Sequence, residues 1–369
     1  MTKAAELAKM GEVLTNSQIG GRRNMIINGA MQVAVRGTSF TSVSGSAYHL
    51  DRFRTGMGDT TARFTVTQAT AALNGFANSL KYDCTTAESS LSSADARLFI
   101  QHRLEGQDLQ HLKKGTSDAE KVTVSFYVKT NKSGVYTVEL YDNDNTRSIS
   151  QTITVSDANW NRYTLTFDGD TTGTLDNDNG NSFNLIIHLI AGTTYTGGTF
   201  STSWSSATDN TRVSSSNVNI GDSTDNNFEI TGIQLEVGSQ ATPFEHLSYG
   251  ETLSLAQRYC FDINPSTGAS PNTPYIMPVA IYNDTLAISQ VNFPCEMRTT
   301  PTTTLTGAAA DFSIVEGNQT RVCTGFAANG MSSVGGGMTW TVNAGGMTTA
   351  NAGNVFIESN KRAFFDAEL

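Results

Sequence analysis

Residues 230–246 read ITGIQLEVGSQATPFEH. Phe228 and Ile230 share one strand parity, and Ile233, Leu235 and Val237 share the other. A one-residue slip sends every side chain to the opposite face, so one regular strand cannot bury both sets together. A bulge at Gly232 reconciles them. The strand is expected to stop at Gly238, with Pro243 and Phe244 packing the edge. The stretch therefore reads as the last strand of a β module, although the chain runs on well past it.

Upstream, the period-two pattern repeats. MIINGAMQVAV (25–35), RFTVTQA (63–69), KVTVSFYVK (121–129), VYTVELYD (135–142), SISQTITV (148–155), RYTLTFDG (162–169) and FNLIIHLIAG (183–192) all read as strands. Val122, Val124, Phe126 and Val128 fall on one face, which marks a half-buried strand. Residues 185–190 are apolar on both faces, as in a central strand under a cover. YDNDN, DGDTTGTLDNDNGN and GDSTDNN connect them with residues that tolerate tight turns. Eight or more strands at this spacing predict an all-β chain, an antiparallel sandwich of jelly-roll type.

Helical signals are few. Leu7, Met10 and Leu14 recur at helical spacing in 1–14, predicting a short N-terminal helix, too short to be stable unless it docks. TNSQIGGRRN (15–24) follows as a flexible joint containing the basic pair Arg22 and Arg23. EGQDLQHL (105–112) reads as a short helix with Lys113, Lys114 and Gly115 at its stop. SYGETLSLAQRY (248–259) carries Leu253, Ala256 and Tyr259 at helical spacing and reads as a linker. Beyond it come further short strands, YIMPVAIY, TLAISQVNF, TTTLTG, FSIVEG, GMTWTVNAG and VFIESNKRAFFDAEL. The predicted layout is 1–24 attachment helix and joint, 25–247 sandwich, 248–260 linker helix and 261–369 a smaller C-terminal β domain.

Composition supports strands over helices: apolar residues make up 38%, charged residues only 16%, and there are 33 Gly and 18 Phe. The net charge of −10 and the lack of a basic run argue against nucleic acid. No stretch approaches the ~18 apolar residues of a membrane helix, so no membrane insertion is expected. MTKAAELAKMGEVL has no long apolar core, so it is not expected to be a signal peptide. Cys84, Cys260, Cys295 and Cys323 show no metal or disulfide spacing and are expected to be reduced thiols.

No catalytic set stands out, and no cofactor or metal is expected. DNDNG (176–180) resembles a calcium loop, but its glycine falls one position early and Ile187 sits where the bidentate Glu belongs. Asp142 with Asp144, Asp168 with Asp170, and Glu229 with Glu236 are the carboxylate pairs a glycosidase would need, on turns where acids usually just form the turn. There is no GxSxG, and His49, His102, His111, His188 and His246 sit in unrelated contexts. Tyr195 and Trp204, in TTYTGGTFSTSWSS, are the aromatics best placed to stack on a sugar. The competing role for Trp204 is to cap the core. Trp160 reads as core.

NMIINGAMQVAVRGTSF (24–40), YHLDRF (48–53) and FEITGIQLEVGSQATPFEHLSYGETLSLAQRYC (228–260) together resemble the jelly-roll module of bacteriophage tail-fibre and other virion appendage proteins, most closely the marine and cyanobacterial podophage type. The resemblance covers roughly residues 22–260. FPCEMRTTPTTTLTG (293–307) resembles the short β module that often follows. The family implies a carbohydrate-binding-module-like sandwich in the virion, often a homotrimer, partnered by other virion proteins and by host-surface glycan. On that reading the protein is not an enzyme, and Leu7, Met10, Leu14, Arg22 and Arg23 attach it to the particle. Asp51 and Arg52 of the DRF motif are fold residues. No sugar-contacting motif aligns, so no contact residues are carried over. The chain lacks the long repetitive shaft of many fibres. A capsid decoration or tail structural protein without ligand, and a polysaccharide depolymerase, are the alternatives.

Overall fold

The computed structural model describes residue 3 and residues 22–263, 275–343, 345–357 and 361–369. Leu7, Met10 and Leu14 of the expected N-terminal helix lie outside the described residues. The chain divides into two compact units, 1–253 with 369 and 254–368.

The first unit is a β-sandwich. Its strands are β1 (Ser39–Val43), β2 (Ala47–Leu50), β3 (Phe53–Gly58), β4 (Arg63–Leu73), β5 (Phe76–Thr86), β6 (Arg97–Glu105), β7 (Val122–Thr130), β8 (Gly134–Asp142), β9 (Arg147–Val155), β10 (Asn161–Phe167), β11 (Asn181–Ala191), β12 (Ser205–Ser206) and β13 (Asn227–Val237). One sheet runs β1-β4-β5-β13-β7-β10 and the other β12-β9-β8-β11-β6-β3-β2. From β5 onward the chain crosses between the sheets at most connections, the habit of a jelly roll. Val124, Phe126 and Val128 of β7 and Leu235 of β13 meet Val138, Leu140, Leu185 and Ile187 of the opposite sheet in one core. β11 sits at the centre of its sheet, which is why residues 185–190 are apolar on both faces.

The phase slip in ITGIQLEV is a bulge. Thr231 pairs with Tyr127 and Gln234 with Ser125, so Gly232 and Ile233 together oppose a single residue of β7. Gly232 has φ +63°, a conformation that only glycine adopts freely. Ile233 and Leu235 are core residues, and Val237 packs against them. Phe244 seals the edge by meeting Phe76 at 5.0 Å, but Pro243 is exposed.

Residues 25–35 are not the strand their alternation suggested. They form a polar-stapled turn, with φ +62° at Asn28 and φ +57° at Met31. The bulge explains where this turn docks. Ile233, squeezed out of the ladder, donates its N–H to the Gly29 carbonyl (3.0 Å) and accepts from Asn24 Nδ2 (3.0 Å). Asn24 Oδ1 accepts from the Leu235 N–H (3.1 Å), and the Met25 N–H donates to the Leu235 carbonyl (2.9 Å). The first and last segments of the sandwich therefore complete each other's backbone hydrogen bonds.

EGQDLQHL forms two 3-10 turns, Gly106–Asp108 and Gln110–Leu112, rather than an α-helix, and Lys113 ends them at φ +49°. The linker helix α1 spans Tyr249–Gln257. Ser248 opens it with a capping box: its Oγ accepts from the Glu251 N–H (3.3 Å), and Glu251 Oε2 accepts from the Ser248 N–H (2.9 Å). The division between the two units falls inside α1.

Glu88 fastens the loop between β5 and β6. Burial opposes its charge, but Ser92 Oγ, Thr60 Oγ1 and the N–H groups of Ser92 and Thr61 all donate to it and hold its pKa down to about 2. A depressed carboxylate stabilises the fold above its unfolded pKa and loses that contribution as pH falls. The sandwich is therefore expected to lose roughly 1–2 kcal/mol between pH 4.5 and 2 on this account. Glu88→Gln should show the loss already at neutral pH and a flatter urea-midpoint profile across that window. Parallel profiles for the two proteins would contradict the assignment.

The second unit is also all-β. Strands β14 (Cys260–Ile263), β15 (Tyr275–Ile281), β16 (Leu286–Asn292), β17 (Thr302–Leu305), β18 (Phe312–Glu316), β19 (Gln319–Ser332), β20 (Gly335–Val342), β21 (Ala352–Ile357) and β22 (Ala363–Asp366) are present. Six close into a barrel, β15-β16-β20-β19-β18-β21, and β14-β22-β17 form a small sheet. Trp340 is fully buried in the barrel and donates to Ser289 Oγ (2.9 Å). Cys84, Cys260 and Cys323 are buried and Cys295 is half-buried, and none of the four forms a disulfide.

Candidate functional site

The strongest concentration of aromatic and hydrogen-bonding side chains lies on the outer face of the seven-stranded sheet. In β6, Leu98, Ile100 and Leu104 face the core, so strand alternation turns Arg97, Phe99, Gln101 and Arg103 outward. Strand pairing extends these into three rows. Arg54, Gln101, Ile186, Glu139 and Ser150 are cross-strand partners in the middle row. Arg103, Asn184, Tyr141 and Ser148 lie on one side of it, and Gly56, Phe99, His188 and Thr137 on the other.

The floor of this face is specified closely. A Cβ on Gly56 would lie 2.1 Å from the Phe99 ring, so glycine there is what lets the half-buried ring lie across β3. Arg54 Nη1 (3.1 Å) and Arg103 Nε (3.2 Å) donate to the same acceptor, Gln101 Oε1. Arg103, with Tyr48 Oη (2.9 Å), also donates to the Leu369 carbonyl oxygen, a residue that groups with this unit. Arg97 is paired with Asp59 (3.0 Å) and donates to Tyr195 Oη (2.9 Å).

The other half of the face is covered by the segment between β11 and β13. Arg212 reaches from that segment onto Glu139 through two bonds of 2.7 and 3.0 Å, and its guanidinium stacks 4.8 Å from the Tyr141 ring centre. His188 Nε2 donates to Glu139 Oε2 (2.9 Å). Burial opposes the Glu139 charge, yet Arg212 and His188 hold its pKa below the usual range; burial keeps His188 neutral against the pull of Glu139. His188 is thus a buried histidine whose hydrogen bond is satisfied. The Asn184 amide oxygen, between Tyr141 and Arg103, is buried without a hydrogen-bond partner.

The two aromatics singled out in the sequence lie apart. Tyr195 stands at the Arg97 end of the face. Trp204 packs on Phe183 (6.0 Å), donates to the Asp168 carbonyl (2.7 Å) and belongs to the edge of the core. Phe183 pairs near one end of β11 and Arg97 near the other, roughly 25 Å away at 3.3 Å per residue. Trp160, read as core, is half-buried and donates to the Ala71 carbonyl (2.6 Å). Arg22 and Arg23 are half-buried, and Arg22 lies close enough to His102 to help lower its pKa.

The carboxylate pairs have other partners. Lys114 Nζ sits between Asp142 and Asp170 (3.0 Å to the latter), and Arg147 grips Asp170 through two bonds. Glu229 accepts from Ser79 (3.0 Å) and Lys129 (3.2 Å), Glu236 from Thr242, and Asp168 pairs with Lys121. Asp178 of the DNDNG stretch accepts from the Gly180 N–H in a local turn. Among the described residues no group of three or more His, Cys, Asp or Glu side chains is placed to hold a metal. None of their helices is long and apolar enough to cross a membrane.

Sequence reasoning missed Arg54, Phe99, Gln101, Arg103, Tyr141 and Arg212 as a group. They come from four different segments, and only strand register brings them together.

No family model matches this chain, and no curated protein matches it. Solved structures do. A putative sugar-binding protein from Bacteroides thetaiotaomicron aligns at 12% identity over 58% of this chain and 100% of its own, with a TM-score of 0.31. A family 61 carbohydrate-binding module in complex with β-1,4-galactotriose aligns at 8% identity over 59% and 100%, with a TM-score of 0.30. The xylan-binding CBM22-1 domain of a Paenibacillus barcinonensis protein aligns at 13% identity over 60% and 100%, with a TM-score of 0.27.

Proposed function

We propose that this chain is a non-catalytic bacteriophage virion protein, a tail fibre or appendage component that recognises glycan on the host surface. The observation that carries glycan binding is the loop-free half of the seven-stranded face. There Phe99 lies beside Gln101, Arg54 and Arg103, combining a ring face for a sugar C–H surface with donors for hydroxyl groups. The virion role rests on the sequence resemblance of residues 22–260. Attachment through residues 1–24 and assembly as a homotrimer belong to the same reading, and trimerisation would raise the avidity of weak single sites.

Binding is measured with the full chain on a glycan array and by calorimetry on the hits. Phe99→Ala is expected to weaken binding about tenfold, the ~1.4 kcal/mol of a truncated aromatic contact. Unchanged affinity in a folded variant would remove this face from the function. Imaging an intact particle decides the mounting point. A chain fixed to the capsid with no glycan affinity would establish the decoration role instead.

A further inference from the structure

We propose that the glycan held on this face is acidic, a carboxylate-bearing polysaccharide whose carboxylates are bound by Arg54 and Arg103. The inference rests on the glycan-binding reading and specifies its ligand class.

Four arginines converge on this face of a chain whose net charge is −10. Two are already neutralised: Arg97 by Asp59 and Arg212 by Glu139. Arg54 meets no carboxylate among the described residues; it donates to the neutral Gln101 oxygen. Arg103 donates to that same oxygen, so two guanidinium nitrogens lie no more than about 6.3 Å apart with only an amide between them. Burial, then the like charges of Arg103 and Arg97, lower the Arg54 pKa. Such an arrangement is electrostatically unfavourable by itself and is relieved by an anion.

The geometry fits a carboxylate. A guanidinium fork matches the two oxygens of a carboxylate, with two parallel bonds. The spot already holds an oxygen acceptor, since Arg103 and Tyr48 both donate to a main-chain oxygen of Leu369. A glycan carboxylate at Arg103 would replace that contact, while Arg54 is open to a second one. Phe99 lies beside Gln101 in the adjacent row and supplies the surface on which a sugar ring attached to that carboxylate rests. The acidic remainder of the protein repels a polyanion in general, so affinity has to come from this patch and falls with salt.

The test uses the full-length protein and four probes: polygalacturonate, a neutral β-glucan, dextran sulfate and single-stranded DNA. Polygalacturonate is expected to bind at least tenfold more tightly than the neutral glucan at 50 mM salt and to lose most of that margin at 500 mM. Arg54→Gln and Arg103→Gln should each cut the acidic-to-neutral affinity ratio about tenfold, with thermal melting used to confirm that each variant is folded. Equal binding of acidic and neutral polymers overturns the acidic assignment but leaves glycan binding standing. A preference for dextran sulfate or DNA overturns the carboxylate assignment. Loss of all glycan binding by the unaltered protein removes the functional reading itself. If both variants misfold, free galacturonate titrated against the unaltered protein at two salt concentrations takes their place, and a salt-independent response overturns the proposal.

Discussion

Gly29→Ala is expected to cost the sandwich about 3 kcal/mol or more, and the variant is expected to be recovered largely unfolded. A Cβ at this position would lie 2.1 Å from the Ile233 carbonyl oxygen. That oxygen cannot retreat cheaply, because it is backbone and is held by Asn24 Nδ2. Moving the Gly29 segment instead would break the bond from the Ile233 N–H to the Gly29 carbonyl and leave a group inside the bulge unsatisfied. Gly45→Ala is the control: nothing lies within 4 Å of its added Cβ, so the change should stay within about 0.5 kcal/mol. Urea denaturation followed by tryptophan fluorescence reads both. A Gly29→Ala protein as stable as the control would show that the opening turn does not dock on the bulge.

Lys114→Met carries the second large effect. Its side chain is 4% exposed, and its ammonium touches Asp142, Asp170 and the carbonyls of Thr172 (3.1 Å) and Gly173 (2.8 Å). Methionine keeps the volume and removes the charge, stranding two buried carboxylates with Arg147 as their remaining cation. Breaking a buried pair on one side costs about 3–5 kcal/mol, and a similar loss is expected here. Adding Asp142→Asn removes one stranded charge and should recover part of the loss. The double mutant separates charge from packing: with no recovery, lost packing would account for the effect.

Much of the sandwich was legible because strands announce themselves through alternation. The segments at 63–69, 121–129, 135–142, 148–155, 162–169 and 183–192 each carry a strand, with ends off by one or two residues in β7, β10 and β11. The bulge at Gly232 was legible too, since a parity change in a buried strand has few other solutions. Residues 25–35 misled because their apolar positions alternate while their asparagines dictate a turn. The 14-residue β19 was missed because QTRVCTGFAANGMS has small residues where alternation would show. Trp204 illustrates a different limit. Its surroundings suit a sugar platform, and whether it stacks on ligand or caps a core depends on Phe183, 21 residues upstream, which packs against it.

The sequence by itself determined that this is an all-β chain with a bulged closing strand, since periodicity, turn residues and parity are local properties. The tertiary structure decided the rest. It joined the opening NMIING turn to the bulge over about two hundred residues of chain, and it placed Arg54, Arg103 and Gln101 on one face. The physical reason is that register is set by the packed core. A charge patch assembled from separate strands exists only after hydrogen-bonded pairing has aligned them, so no run of residues could have announced it.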